Sequence, residues 1–194
     1  MNMTDQKELP LGKELVWHAL NDMDLLKTCI PGCESIQVKE DGEYELMVQA
    51  SVGPVKARFK GQMRMKDVLP PDSYTLEFNG QGGAVGYCRG QARVSLVAVG
   101  SGLTMLQYTA SANVGGKLAQ VGARLIDMAA QKMAADFFGA FIVELARRHA
   151  PVDSPAAPDV GGSTKFPGGP PGGKPSDGVW SRLVFWFSRL FGRG

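Results

Sequence analysis

The sequence predicts an α+β fold in which a curved antiparallel sheet wraps around one long carboxy-terminal helix. Three observations predict it: two-residue alternation of apolar and polar side chains between residues 43 and 114, turn residues between those runs, and one long apolar helical segment after them. Alternation leaves one sheet face apolar, and that face needs a cover. Residues 117–149 form the only segment suited to supply it.

The elements follow in order. A short helix starting near Pro10 carries Leu11, Leu15 and Ala19 on one side. The strand from Glu43 to Val52 passes through Gly53-Pro54 into "VKARFKGQMRMK". There Val55, Ala57, Phe59, Gly61, Met63 and Met65 point one way, while Lys56, Arg58, Lys60, Gln62, Arg64 and Lys66 point the other. A two-residue turn sets Tyr44, Leu46, Val48 and Ala50 opposite Met63, Gly61, Phe59 and Ala57, so both strands agree on the apolar face. Strands follow at about 73–80, 87–99 and 103–114, separated by Pro70-Pro71, a glycine-rich stretch and Gly100-Ser101-Gly102.

The closing helix has two apolar stripes. Leu118, Val121, Leu125, Ala129 and Met133 form the first; Ala134, Phe137, Phe138, Phe141, Ile142 and Leu145 form the second on a rotated face. One long helix across a curved antiparallel sheet is the helix-grip arrangement. The inward sheet face mixes large residues (Phe59, Met63, Tyr74, Leu76, Phe78, Leu106, Tyr108) with small ones (Ala57, Gly61, Gly90, Ala92, Ala110, Ala112). Small residues under a covering helix mean either close packing or an apolar pocket. If a pocket, the large residues with Ala57, Gly61, Ala92 and Ala110 line it from the sheet, and Val121, Leu125, Met133, Phe137 and Phe141 from the helix.

Charge divides the chain. Residues 1–150 carry 16 basic and 16 acidic side chains, no acid follows Asp177, and the net charge is +2. That balance disfavours nucleic-acid binding and singles out a cationic tail. Residues 151–178, rich in proline and glycine, have little to bury and read as a disordered linker. Wound as a helix, residues 179–191 put Trp180, Leu183, Val184, Phe187, Leu190 and Phe191 on one face, with Arg182 and Arg189 opposite and Phe185 interrupting the polar side. With Trp186 and Arg193, these aromatic and cationic groups suit an interfacial membrane helix, the alternative being a helix that docks on a protein groove, this protein's own cavity included. The amino terminus has no signal-peptide pattern, no run reaches the length of a spanning helix, and three cysteines fit a reducing compartment. A cytoplasmic protein held at the inner membrane face is the expectation.

Four stretches, "CIPGCE", "SVGPVKARFKGQMR", "GQGGAVGYCRGQ" and "VGGKLAQVGARLI", resemble in that order the CoxG family, the carbon monoxide dehydrogenase G-subunit family of the START-like, polyketide-cyclase-related (SRPBCC) superfamily. The resemblance spans residues 1 to about 148 and implies a helix-grip domain around a hydrophobic cavity, working beside a molybdenum hydroxylase that oxidises carbon monoxide or a related substrate. It also implies a role in placing that enzyme at the membrane.

The remaining motifs are read structurally. "CIPGC" is a proline-glycine turn without ligand spacing to either histidine, and "GQGGAVG" precedes a strand, so it is a flexible loop at the cavity rim with no helix terminus to hold a phosphate. No catalytic set or metal site emerges. The basic row Lys56, Arg58, Lys60, Arg64 and Lys66 faces only one acid directly across its hairpin, Glu43 opposite Arg64; it is either a solvated face or a docking face for the partner. The expected function is a non-enzymatic, membrane-tethered carrier of a lipophilic molecule. Quinone is the expected ligand, because an oxidising enzyme off the bilayer needs access to an insoluble electron acceptor. A polyketide-cyclase-like enzyme and a recruitment factor without ligand are the alternatives.

Overall fold

The alternation from Glu43 onward is realised as part of a seven-stranded antiparallel sheet in the computed structural model, which describes residues 1–39 and 42–149. The elements are β1 (Asn2–Leu9), α1 (Lys13–Leu20), α2 (Met23–Cys29), β2 (Cys33–Val38), β3 (Glu43–Val52), β4 (Val55–Leu69), β5 (Ser73–Gln81), β6 (Tyr87–Gly100), β7 (Leu103–Gly115) and α3 (Ala123–His149). Strand order β1-β7-β6-β5-β4-β3-β2 puts β1 and β2 at opposite edges, so α1 and α2 carry the chain from one edge to the other. With α3 they cover the apolar face, which is the helix-grip arrangement.

The hairpin register is the one its alternation dictates: Tyr44, Leu46, Val48 and Ala50 oppose Met63, Gly61, Phe59 and Ala57. A slip of one residue would turn every apolar side chain to solvent, so burial fixes the pairing.

Other elements depart from expectation. The polar stretch 2–9 is a strand, because it pairs along its length with β7 from Asn2↔Ser111 to Leu9↔Thr104, and pairing supplies what its composition does not. α2 and β2 are also additional to the elements expected from sequence. Residues 116–121 form a 3-10 turn, and Gly122 at φ +94° separates it from α3, which therefore starts six residues later than expected. On α1 the buried residues are Val16, Trp17, Ala19 and Leu20, whereas Leu15 is 45% exposed; the helix starts at Lys13 and turns a different stripe inward.

The packed core lies toward the end of the domain where β1 meets α1. Phe141 and Leu145 of α3 are buried there with Leu9, Val16, Leu25, Leu96 and Leu106. Asp22 joins the helices: its carboxylate caps α2 by accepting the Leu25 N–H at 3.0 Å and receives Arg148 Nη1 of α3 at 2.6 Å. That N–H first, then the guanidinium, holds the carboxyl below its usual range. At 27 residues α3 is about 40 Å long. Its first expected stripe is only partly covered: Leu125 is 40% exposed and lies against Gly53, while the second stripe supplies Phe138, Phe141 and Leu145 to the core. Phe141→Ala is expected to lower the stability of the domain by about 3–5 kcal/mol, read from denaturant midpoints; a loss below about 1 kcal/mol would remove Phe141 from the centre of the core.

The expected linker (residues 151–178) and tail helix (residues 179–194), with all the expected membrane-binding side chains, lie outside the described residues. Among the described residues no helix is long and apolar enough to cross a membrane.

Candidate ligand-binding site

Covering helices and sheet do not close on each other everywhere. A cavity of about 250 Å³ remains between them. Its strand wall is Tyr44 of β3, Met63 and Met65 of β4, Tyr74 and Leu76 of β5, Ala92 and Val94 of β6, and Leu106 and Tyr108 of β7. Leu20 ends α1, Met23 and Leu26 come from α2, Ile30 follows α2, and Phe137 and Phe138 come from α3. Alternation aims the strand residues inward, and helical spacing sets Met23, Leu26 and Ile30 along one side of α2.

Aromatic contacts set the shape of this wall. Phe137 and Phe138 meet edge to face at 5.1 Å, Tyr108 lies 5.4 Å from Phe138, and Trp17 backs Tyr74 edge-on at 5.7 Å. Methionine sulfur apart, the only polar side-chain atoms of the wall among the described residues are three phenol hydroxyls. Burial pushes the Tyr74 phenol well above its ordinary range. Burial, and then the Asp5 carboxylate, also raise the Tyr108 phenol, whose hydroxyl faces Met3 Sδ at 4.0 Å. These two phenols stay neutral near pH 7 and are hydrogen-bond donors.

Seven of the sixteen expected lining residues do line this cavity: Met63, Tyr74, Leu76, Ala92, Leu106, Tyr108 and Phe137. The other nine do not. Phe59 lies over Gly82, where an added Cβ would come within 2.6 Å of its ring, and Phe78 lies over Gly90 in the same way at 2.8 Å. Ala57, Phe59, Gly61 and Phe78 are half-buried and lie outside the cavity. Phe141 is fully buried in the core, Ala110 is enclosed, Leu125 is exposed, and Val121 and Met133 are half-buried away from the cavity. Half of the eight missed contributors, Leu20, Met23, Leu26 and Ile30, come from the α1–α2 crossing; the others are Tyr44, Met65, Val94 and Phe138. Asp22 as a cap before apolar Met23, Leu26 and Ile30 was the available signal.

The motifs resolve as backbone features. Gly32 of "CIPGC" has φ +71° and packs against the Gln49 carbonyl, leaving no room for a Cβ, while burial raises the Cys29 and Cys33 thiols above their ordinary range. The loop expected to be a flexible rim is a short 3-10 turn closed by Gly82 N–H to Gly86 C=O at 2.8 Å, and Gly86 packs on Gly115 and Gly116 without room for a side chain. It does not line the cavity. Among the described residues no group of three His, Cys, Asp or Glu side chains is placed to hold a metal.

The basic row on β4 also differs from expectation. Arg64 meets Glu43 at 3.3 Å, Lys60 meets Glu45 at 3.0 Å, Arg58 meets Glu34 of β2 at 2.9 Å and Lys66 meets Glu77 of β5 at 2.8 Å. The direct pair Arg64–Glu43 and three diagonal or second-neighbour contacts, invisible in the hairpin register alone, neutralise four of its five cations. Lys60 accordingly holds the Glu45 carboxyl below its usual range. Only Lys56 is without a carboxylate partner among the described residues.

A curved sheet gripping a long helix over an apolar cavity defines the START-like class of fold. The START superfamily protein from Mycobacterium smegmatis is similar at TM-score 0.58 and 13% identity, covering 76% of this chain and 98% of that one. The Zhui aromatase/cyclase from Streptomyces sp. R1128 is similar at TM-score 0.57 and 12% identity, covering 76% and 94%. A conserved protein from Geobacillus kaustophilus is 33% identical, with TM-score 0.72 and coverage of 76% and 96%. Residues 7–146 match CoxG, the carbon monoxide dehydrogenase G-subunit family, and the chain belongs to that family. No curated protein matches the chain. Family, fold and apolar cavity together indicate a protein that binds hydrophobic ligands.

Proposed function

We propose that this protein is a non-enzymatic carrier that takes a quinone from the cytoplasmic face of the membrane and presents it to a molybdenum hydroxylase of the carbon monoxide dehydrogenase type. The observation that carries the proposal is the cavity wall: among the described residues fifteen line it, none of them Asp, Glu, Lys, Arg, His or Cys. A wall without acid, base or thiolate has nothing with which to activate a substrate, but it solvates an apolar ring and chain. The neutral Tyr74 phenol is a donor of the kind a quinone carbonyl accepts. The family name supplies the partner class, since CoxG is named for its place beside a carbon monoxide dehydrogenase. The cyclase alternative needs a group that transfers protons near neutral pH, and the Tyr74 and Tyr108 phenols are pushed further from it.

Size adds a condition. At about 250 Å³ the cavity falls below the roughly 300–1,000 Å³ usual for ligand sites. A long isoprenoid chain therefore requires the wall to yield, and the flexible Met23, Met63 and Met65 side chains suit that role. Mass spectrometry of lipophilic molecules extracted from the purified full-length protein tests the reading directly; a quinone is expected, and protein isolated from membranes without any bound lipophile would sink it. Tyr74→Phe removes one donor and keeps the ring. It is expected to weaken retention of a ubiquinone or menaquinone analogue by up to about tenfold, measured by fluorescence competition, with the melting temperature nearly unchanged.

A further inference from the structure

The outward face of the sheet holds a second concavity, of about 750 Å³, on the far side of the strands from the lipophilic cavity. Its floor is polar and ordered in rows across the strands. Gln62, Asn79, Arg89 and Asn113 form one row; Arg64, Glu77, Gln91 and Ser111 form the next. One step further, beside a depression of about 480 Å³, Arg93 lies between Thr75 and Thr109.

Charge on this face is not evenly settled. Arg64 and Lys66 are tied to Glu43 and Glu77, and at the near edge Lys7 is tied to Asp5 at 2.7 Å. Arg89 has Asn79 and Asn113 as its cross-strand neighbours, and Arg93 has two threonines. Both arginines are exposed, and neither has a carboxylate within ion-pair distance among the described residues. They stand four residues apart on β6, about 14 Å along the strand.

We propose that this face docks an acidic, extended segment of the hydroxylase partner, two carboxylates of which, about 14 Å apart, pair with Arg89 and Arg93. Guanidinium forks match carboxylates bidentately, and Gln91 and Ser111 of the row between them complement a main chain laid along the groove. A nucleic acid is the wrong occupant, because phosphate binding needs a track of free cations and the flanking ones are already neutralised. The partner's identity rests on the function proposed above; the docking chemistry rests on the unpaired arginines. A polar interface led by two charges favours rapid encounter and release, as a shuttling carrier needs.

The test is surface plasmon resonance of the full-length protein against the purified molybdenum hydroxylase from the same cell, at low and at physiological salt. Arg89→Glu/Arg93→Glu is expected to weaken binding at least about tenfold, chiefly in the association rate at low salt, while extracted lipophile and vesicle association stay at the parent level. Arg89→Gln/Arg93→Gln gives a smaller loss and guards against misfolding. Arg58→Ala, on the neutralised β4 row, is expected to change affinity less than about twofold. Binding that is indifferent to both double variants, or no binding by the parent protein, overturns the docking face. Arginine-dependent binding by a protein that carries no lipophile upholds this face and removes the carrier reading; the converse result removes the face and leaves the carrier.

Discussion

Deletion of residues 179–194 is expected to move the protein from the membrane fraction to the soluble fraction, with the helix-grip domain still folded. The reason lies in the sequence. Six apolar side chains, Trp180, Leu183, Val184, Phe187, Leu190 and Phe191, recur at helical spacing, and Arg182, Arg189 and Arg193 accompany them. Burying six such groups contributes at most about 9–18 kcal/mol, and each arginine about 1 kcal/mol near anionic lipid. Ordering the helix and incomplete burial offset much of this, yet the remainder is the largest single effect expected from any change to the chain. Phe187→Glu should reproduce most of the loss by placing a charge on the apolar face. Cosedimentation with vesicles containing anionic lipid is the measurement. Equal binding by the intact and truncated forms would remove the anchor and with it the tethered carrier.

Ala92→Phe is expected to abolish retention of a lipophilic ligand while leaving the domain folded. Ala92 faces the cavity from the middle of β6, opposite Leu76, and a benzyl group there projects into a space of about 250 Å³. Ala110, its neighbour on β7, is the informative comparison. It is buried between Ala92 and Met3 and does not line the cavity, so Ala110→Trp overpacks the sheet and should cost about 1–3 kcal/mol or more. Extracted ligand, measured beside thermal unfolding, separates the two. Retention by Ala92→Phe equal to that of the parent would place the ligand elsewhere.

This pair also marks where sequence reading stopped. Alternation puts Ala92 and Ala110 on the same face with equal standing, and nothing in either residue says which looks into empty space. The difference comes from what lies above each: Phe137, Phe138 and the α2 side chains arch over the middle strands, while Met3 on β1 closes the space beside Ala110. The same holds for charge. The β4 row is legible as a row, but most of its neutralisation depends on Glu45 and Glu77 from the adjacent strands and on Glu34 from β2, one strand further.

Sequence alone determined the helix-grip class, the hairpin register between Glu43 and Arg64, and the apolar character of the inward face. These follow from a period of two, a period of 3.6 and turn residues, all of which are local and survive in a string of letters. The course of β1, the α1–α2 crossing, the late start of α3 and the identity of the cavity wall were decided only by the tertiary structure. Strand β1 has too few apolar residues to announce itself and exists because β7 offers it an edge. The cavity is bounded by Met23, Leu26 and Ile30, brought over the middle strands from before β2 in the chain, and by α3 from the other end. Which small residues end beside a void and which beside a phenylalanine ring is a matter of volume shared among distant segments, and volume is filled only when the whole chain has packed.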